Sequence, residues 1–171
     1  MNHSEKPETN LSESDIKILE DAKNRILNSD YYREISSCFD FIDGRIVKNT
    51  IAGTSGYILT FNNLFCIVFL EEGSLYLSIG DRDINEEHIS KINSPNFGNG
   101  KNPQFKKNIP YSDEYCDIAK ELKNCHDKQI EGTSIGENSF NICFENNFEL
   151  DAKVYRDEAG RLTLRVFWEQ W

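Results

Sequence analysis

Glu149-x-Asp151-x-Lys153 is the stretch whose residue types and spacing come nearest to a reaction centre. On a strand, side chains alternate between faces, so this spacing puts two carboxylates and an ammonium on one side. Carboxylates can hold Mg²⁺ while a nearby lysine stabilises charge or positions water, the chemistry of metal-dependent nucleases and related hydrolases. The same acid-x-lysine pattern is common as cross-strand charge that keeps a sheet face wet. A nuclease also needs an acid on the neighbouring strand and a basic groove, and the chain's net charge of −10 opposes the groove. No catalytic residue is assigned on this basis. Glu149, Asp151 and Lys153 stand as the alternative, hydrolytic reading.

Other constellations are weaker. Asp81-x-Asp83-x-Asn85 spaces oxygens like the start of a calcium loop, but Glu86 stands where the sharp turn needs glycine and Ile92 where a bidentate glutamate is required. His88 and Cys125-His126 could ligate a metal, yet there is no Cys-x-x-Cys pair and no histidine at ligand spacing. A Cys125–His126 nucleophilic pair fails because adjacent helical residues diverge by about 100° around the axis. Thr54-Ser55 and Thr133-Ser134 follow glycines and could offer backbone donors to an anion, but shaping the start of a strand is the better reading. No phosphate-cradling glycine loop and no nucleophile elbow is present. No metal and no cofactor is expected.

The elements that would position these residues follow from periodicity. Leu11 to Ser14 gives a helix start, and Ile16, Leu19, Ala22 and Ile26 give one apolar stripe to about Leu27. A second short helix is expected from Ser29, and another over Asn85 to Ile92. Tyr57–Phe61, Leu64–Leu70 and Ser74–Ile79, separated by Asn62-Asn63 and Glu71-Glu72-Gly73, read as a three-stranded meander. With Gly73 in a three-residue bulged turn, Ile67 faces Leu77. Phe65, Ile67 and Phe69 then share a face with Leu75, Leu77 and Ile79. The opposite face carries Cys66, Val68, Leu70 and Tyr76, so this hairpin is central, covered on both faces, or part of a subunit interface. Ser112 can cap a helix carrying Tyr115, Ile118, Ala119, Leu122 and Cys125 on one face. Phe140–Phe144, Phe148–Tyr155 and Leu162–Trp168 follow as strands. Ala152 faces Val166, Val154 faces Leu164 and Leu150 faces Trp168, which turns Glu149, Asp151, Lys153 and Arg165 toward water.

Landmarks recur in order. Ser29, Asp30, Tyr32, Ile35, Ile51, Gly53, Thr54, Ser55, Phe61 and Asn62-Asn63 are matched by Ser112, Asp113, Tyr115, Ile118, Ile130, Gly132, Thr133, Ser134, Phe144 and Asn146-Asn147, each series ending in an acidic glycine turn. The expected fold is α+β: two duplicated helix-plus-antiparallel-meander units, about 14–80 and 111–171, forming a mainly antiparallel sheet with helices packed on it about a pseudo-twofold. Residues 1–10 read as a flexible tail, 11–171 as a single domain, and 81–110 as a loop-rich linker between the repeats. On that reading Ile67 corresponds to Val154 and Leu77 to Leu164.

Composition sets the function class. The 171 residues include 11 Phe, 7 Tyr and 2 Trp, enough large apolar groups for a core without metal or disulfide. Five scattered cysteines read as buried free thiols of a reducing compartment, and the absence of a membrane-spanning run or secretion signal gives a soluble, cytoplasmic expectation. The acidic balance repels nucleic-acid phosphates and speeds encounter with a basic protein, although simple solubility is the more direct account of it. The resulting expectation is an acidic protein-binding module that docks on a basic partner, in the manner of an immunity or inhibitor protein by analogy of composition. Its expected contacts are Phe97, Phe105, Phe167 and Trp171 with the acidic turns Glu71, Glu72, Asp157 and Glu158. A small-ligand sensor with a pocket between the halves is a further alternative. A homodimer through the Cys66–Tyr76 apolar hairpin face is the competing use of that surface.

Overall fold

The computed structural model describes residue 13 and residues 42–71, 74–81, 83–93, 111–112, 116–136 and 139–171. The expected helices over 11–27 and from Ser29, and the aromatics Phe97 and Phe105, lie outside these residues apart from Glu13, which is helical.

Two four-stranded antiparallel sheets, each a meander in chain order, form the body of the protein. The first contains β1 (Asn49–Ala52), β2 (Gly56–Phe61), β3 (Leu64–Glu71) and β4 (Ser74–Gly80). The second contains β5 (Ile130–Ile135), β6 (Ser139–Phe144), β7 (Phe148–Arg156) and β8 (Leu162–Gln170). Among the described residues two short helices accompany them, α1 (Glu86–Ile92) and α2 (Ile118–Leu122). The class is mixed α and β, mostly sheet. Among the described residues no helix is long and apolar enough to cross a membrane.

Alternation explains how the sheets stack. From the first sheet Tyr57, Leu59, Cys66, Val68, Leu70, Leu75, Leu77 and Ile79 enter one buried cluster with Phe140, Ile142, Phe144, Leu150, Ala152, Val154, Leu164 and Val166 from the second. The core therefore lies between the sheets, and the shared face of each strand reads with period two. The first sheet buries its other face as well: Ile58, Phe65, Ile67 and Phe69 pack with Ile92 of α1. The two-sided apolar hairpin is thus a layer covered on both sides. The Cys66, Val68 and Leu70 face, one alternative for which was a homodimer contact, is interior, each residue being 0% exposed.

The β3–β4 register differs from expectation by one residue. Val68 pairs with Leu77 and Ile67 with Ser78, because Glu71 pairs with Ser74 and only two residues connect the strands. A two-residue connection reverses the parity that a bulged three-residue turn imposes. Leu75, Leu77 and Ile79 consequently share a face with Cys66, Val68 and Leu70, toward the second sheet. The β7–β8 ladder matches expectation, with Ala152 opposite Val166, Val154 opposite Leu164 and Leu150 opposite Trp168.

These registers remove the basis for side-chain equivalence between the halves. Ile67 lies under α1 and Val154 lies between the sheets. Gly53-Thr54-Ser55 forms the β1–β2 connection, whereas Gly132-Thr133-Ser134 lies within β5. What the halves share is strand order and one turn chemistry: Asn63, Asn146 and Asn147 take left-handed backbone at φ 60°, 63° and 64° between the second and third strands of each sheet. Asparagine tolerates that conformation better than most residues, so like turns select it locally. The duplication and the pseudo-twofold gain no support.

The helices are set by caps. Asn85 accepts from His88 N at 3.1 Å, and His88 Nδ1 accepts from Asn85 N at 3.1 Å, a reciprocal box that starts α1 where the sequence placed a short helix. His88 also meets Phe65 edge-on, with ring centroids 4.8 Å apart. α2 starts at Asp117, which accepts from Lys120 N at 3.4 Å, and not at Ser112. Ser112 instead joins the second sheet: its N donates to Arg156 O at 2.9 Å, and Tyr111 bridges Arg156 in parallel.

Candidate functional site

β7 and β8 are the longest strands among the described residues, nine residues each, and their turn is closed by Asp157 N donating to Arg161 O with Gly160 at φ +79°. Even-numbered residues of both strands face the first sheet. Odd-numbered residues face outward, and the ladder sets Glu149 opposite Glu169, Asp151 opposite Phe167, Lys153 opposite Arg165 and Tyr155 opposite Thr163. β6 adds Asn141 opposite Asp151 and Cys143 opposite Glu149.

At one end of this face the carboxylates of Glu149, Asp151 and Glu169 converge, with one oxygen of each lying within 4.8 Å of the others. Lys153 Nζ stands 3.1 Å from Asp151 Oδ2, and Asn141 Nδ2 donates to Glu149 Oε2 at 3.0 Å. Asp151 is 7% exposed. Burial pushes its carboxyl above the ordinary aspartate range; the bond and charge of Lys153 oppose that shift and the charge of Glu149 adds to it. Lys153 is raised in turn by its bond to Asp151. Grouped carboxylates of this kind repel one another and favour an incoming cation, whether a guanidinium, an ammonium or a divalent ion.

Farther along the face Arg165 is 5% exposed, its Cζ 5.6 Å from the Tyr155 ring centroid and its Nη2 donating to Ser112 O at 3.3 Å. Among the described residues its Nε and Nη1 meet no acceptor. The expectation of a wholly wet face is therefore corrected: Asp151 and Arg165 are buried, Glu149 is half-buried and Lys153 is exposed. For Arg165 the reason is local, since the Tyr155 ring and the main chain at Ser112 lie over the guanidinium.

The described ones among the expected contact residues lie on different elements. Phe167 is half-buried beside the carboxylates, 6.3 Å from Tyr155 in a T-shaped pair, and Trp171 is 72% exposed beyond β8. Glu71 is engaged by Lys91 at 2.8 Å, and Asp157 by Arg161 Nε at 3.0 Å. Each of these two acids already has a cation beside it. Glu158 is exposed on the β7–β8 turn, and Glu72 lies outside the described residues.

The competing chemical constellations dissolve in the same way. Asn85 and His88 cap α1. Cys125 is buried and its thiol is pushed up to about 12 by desolvation, unsuited to nucleophilic attack, while His126 Nε2 pairs with Thr50 Oγ1 at 2.9 Å. Ser55 Oγ donates to Ile92 O at 3.1 Å, so the first Thr-Ser pair ties α1 to the sheet.

Glu169 was missed as a site residue, and the signal for it was present. The register that pairs Leu150 with Trp168 also places Glu169 opposite Glu149. Asn141 had no comparable signal, because the β6–β7 connection was not set in register from sequence. No known protein family, curated protein or solved structure matches the chain.

Proposed function

We propose that this chain is an acidic protein-binding module that docks a basic partner protein, in the manner of an immunity or inhibitor protein, through the outer face of its second sheet. The convergence of Glu149, Asp151 and Glu169 within 4.8 Å carries the reading. Lys153 balances one of these charges, so the cluster takes up a further cation favourably. The half-buried Phe167 beside Asp151 and the exposed Trp171 beyond the strand supply aromatic surface. A guanidinium suits this combination, since its planar fork bonds carboxylates while its face stacks on an aromatic ring. The net charge of −10 adds long-range steering toward a basic protein.

The test compares three immobilised proteins in native lysate: the unaltered chain, the face variant Glu149→Gln/Glu169→Gln, and the control Glu86→Gln/Glu87→Gln on α1. A stoichiometric basic protein held by the first and third, with affinity for the face variant at least about tenfold lower, is the expected result. Equal capture by all three, or by none, rejects the proposal.

The metal-dependent hydrolase reading keeps one specific observation, the third carboxylate Glu169. Against it, Lys153 already occupies the side of Asp151 that an ion would compete for. Mg²⁺-dependent nuclease activity lost in Asp151→Ala would replace the docking reading with the enzymatic one.

A further inference from the structure

A sheet edge presents a row of main-chain N–H and C=O groups, and a further strand adds there only where those groups reach solvent. Residue exposure sorts the four edges. On β4 and β8 the residues whose main chain points outward are covered: Leu75, Leu77 and Ile79 at 3%, 0% and 4%, and Leu162, Leu164 and Val166 at 0%, 4% and 0%. The Cys116 thiol closes β8 further, accepting from Val166 N at 3.3 Å and donating to its O at 3.2 Å. β1 is only four residues long and α2 packs against it.

β5 is different. Gly136 N donates to Ser139 O at 2.9 Å, so along the β5–β6 ladder Ser134 with Asn141 and Gly132 with Cys143 are the bonded pairs. The main-chain groups of Thr133 and Ile135 therefore point away from β6, and no described main-chain group bonds to either from that side. Both residues are only half-buried, and Ser134 between them is exposed. Gly132 is half-buried too and has no side chain, so what it exposes is main chain; among the described residues beyond its chain neighbours nothing lies within 4 Å of where its Cβ would stand. The start of this edge already takes an extended segment of the chain itself. Residues before β1 run antiparallel to it, Ile46 bridging Gln129, Ile130 N donating to Arg45 O at 2.9 Å and Gly44 N to Ile130 O at 2.8 Å. That pairing stops at Gly44, where φ of +79° and the bond from Arg45 N to Ile42 O turn the chain.

We propose that the outer edge of β5, from Gly132 to Ile135, is a strand-addition site for an extended segment of a partner protein, apolar on the side beside Thr133 and Ile135 and basic on the side beside Gly132 and Ser134. Alternation fixes the two sides. Thr133 and Ile135 stand opposite Ile142 and Phe140 of the shared interior, whereas Gly132 and Ser134 stand opposite Cys143 and Asn141 of the outer face. The outer face is acidic up to this edge: burial, then the charges of Glu149 and Glu131, push the Cys143 thiol up. Charge also selects a partner segment over a second copy. Glu131 is exposed at the head of the strand and Glu137 follows its end in sequence. An antiparallel copy pairing Thr133 with Ile135 would set the Glu131 end of each copy against the Glu137 end of the other. Lysine or arginine on the added segment meets Glu131 instead. The basic side rests on the reading of the chain as a binder of basic proteins; the edge itself does not.

The probe is a synthetic peptide of alternating valine and lysine, compared with its valine–glutamate counterpart, and amide hydrogen exchange of the full chain is followed by NMR. The Thr133 and Ile135 amides are expected to exchange fast in the free protein and at least about tenfold more slowly with the lysine peptide, the glutamate peptide having no effect. Two variants, each with an unchanged melting temperature, are expected to weaken binding at least about tenfold: Glu131→Lys, and Thr133→Pro, which removes an outward N–H and leaves the β5–β6 bonds in place. Exchange at both amides as slow in the free protein as in β7, no added protection with the lysine peptide, or undiminished binding by Glu131→Lys overturns the proposal. Equal protection by both peptides overturns the choice of a basic occupant. Protection that rises with protein concentration alone assigns the edge to a second copy and also overturns it. Failure of the lysate capture with the peptide result intact counts against docking on the Glu149, Asp151 and Glu169 face alone.

Discussion

Asp151 couples the proposed site to stability. Its folded carboxyl is raised by burial, so the folded state holds the proton more tightly than the unfolded chain does. Stability is therefore greatest where Asp151 is protonated in both states. It declines as pH rises from the unfolded value of about 3.9 through the raised folded value. Asp151→Asn removes this slope. Melting temperatures of the variant should exceed those of the unaltered chain at pH 7, with the difference shrinking toward pH 4; a difference that does not change with pH rejects the assignment. A second prediction concerns Gly53, where an added Cβ would lie 2.2 Å from Ile92 O. The contact is with backbone, so α1 must move. Gly53→Ala should lower stability by about 1–3 kcal/mol in denaturant titration.

α1 is held by its ends more than by its length. Seven residues are too few for an isolated helix, and its anchors are the Asn85–His88 box, Ile92 in the outer core, and Ser55 Oγ and N both donating to Ile92 O. Asn85→Ala should cost about 1 kcal/mol and speed amide exchange in α1 while leaving β7 and β8 unchanged. Among the strands, legibility followed local character. β2, β3, β4, β6, β7 and β8 are apolar-rich runs bounded by asparagine or acidic-glycine turns, and each lies within a residue or two of its expected place. β1, Asn-Thr-Ile-Ala, and β5, Ile-Glu-Gly-Thr-Ser-Ile, were not legible. Their short polar runs carry no alternating apolar pattern, and both strands exist because a neighbouring strand offers its bonds. The helix expected from Ser112 begins later, at Ile118 after the Asp117 cap, while the Ser112 main chain bonds Arg156 of the second sheet.

Across the molecule the two sheets share one interior. Phe140 is 0% exposed at its centre, and Phe140→Ala should cost about 3–5 kcal/mol in chemical denaturation, lowering protection in both sheets together. The net charge of −10 acts on the compact state as self-repulsion. Raising NaCl from about 10 mM to about 150 mM shortens the screening length from roughly 30 Å to roughly 8 Å and should raise the melting temperature. A flat or falling response would show that local ion pairs outweigh the global charge.

The positions of β2–β4 and β6–β8, the asparagine turns and the β7–β8 register are consequences of period and turn chemistry along a few neighbouring residues, so reading the chain was enough for them. Which face of the β3–β4 hairpin meets the second sheet was not, because one residue in its turn reverses every side chain. Nor was the burial of Asp151 and Arg165 on a face that alternation assigns to water. Burial depends on what the rest of the chain brings over a surface: Tyr155 reaches Arg165 within the hairpin, but Ser112, 53 residues away in sequence, closes over it from outside.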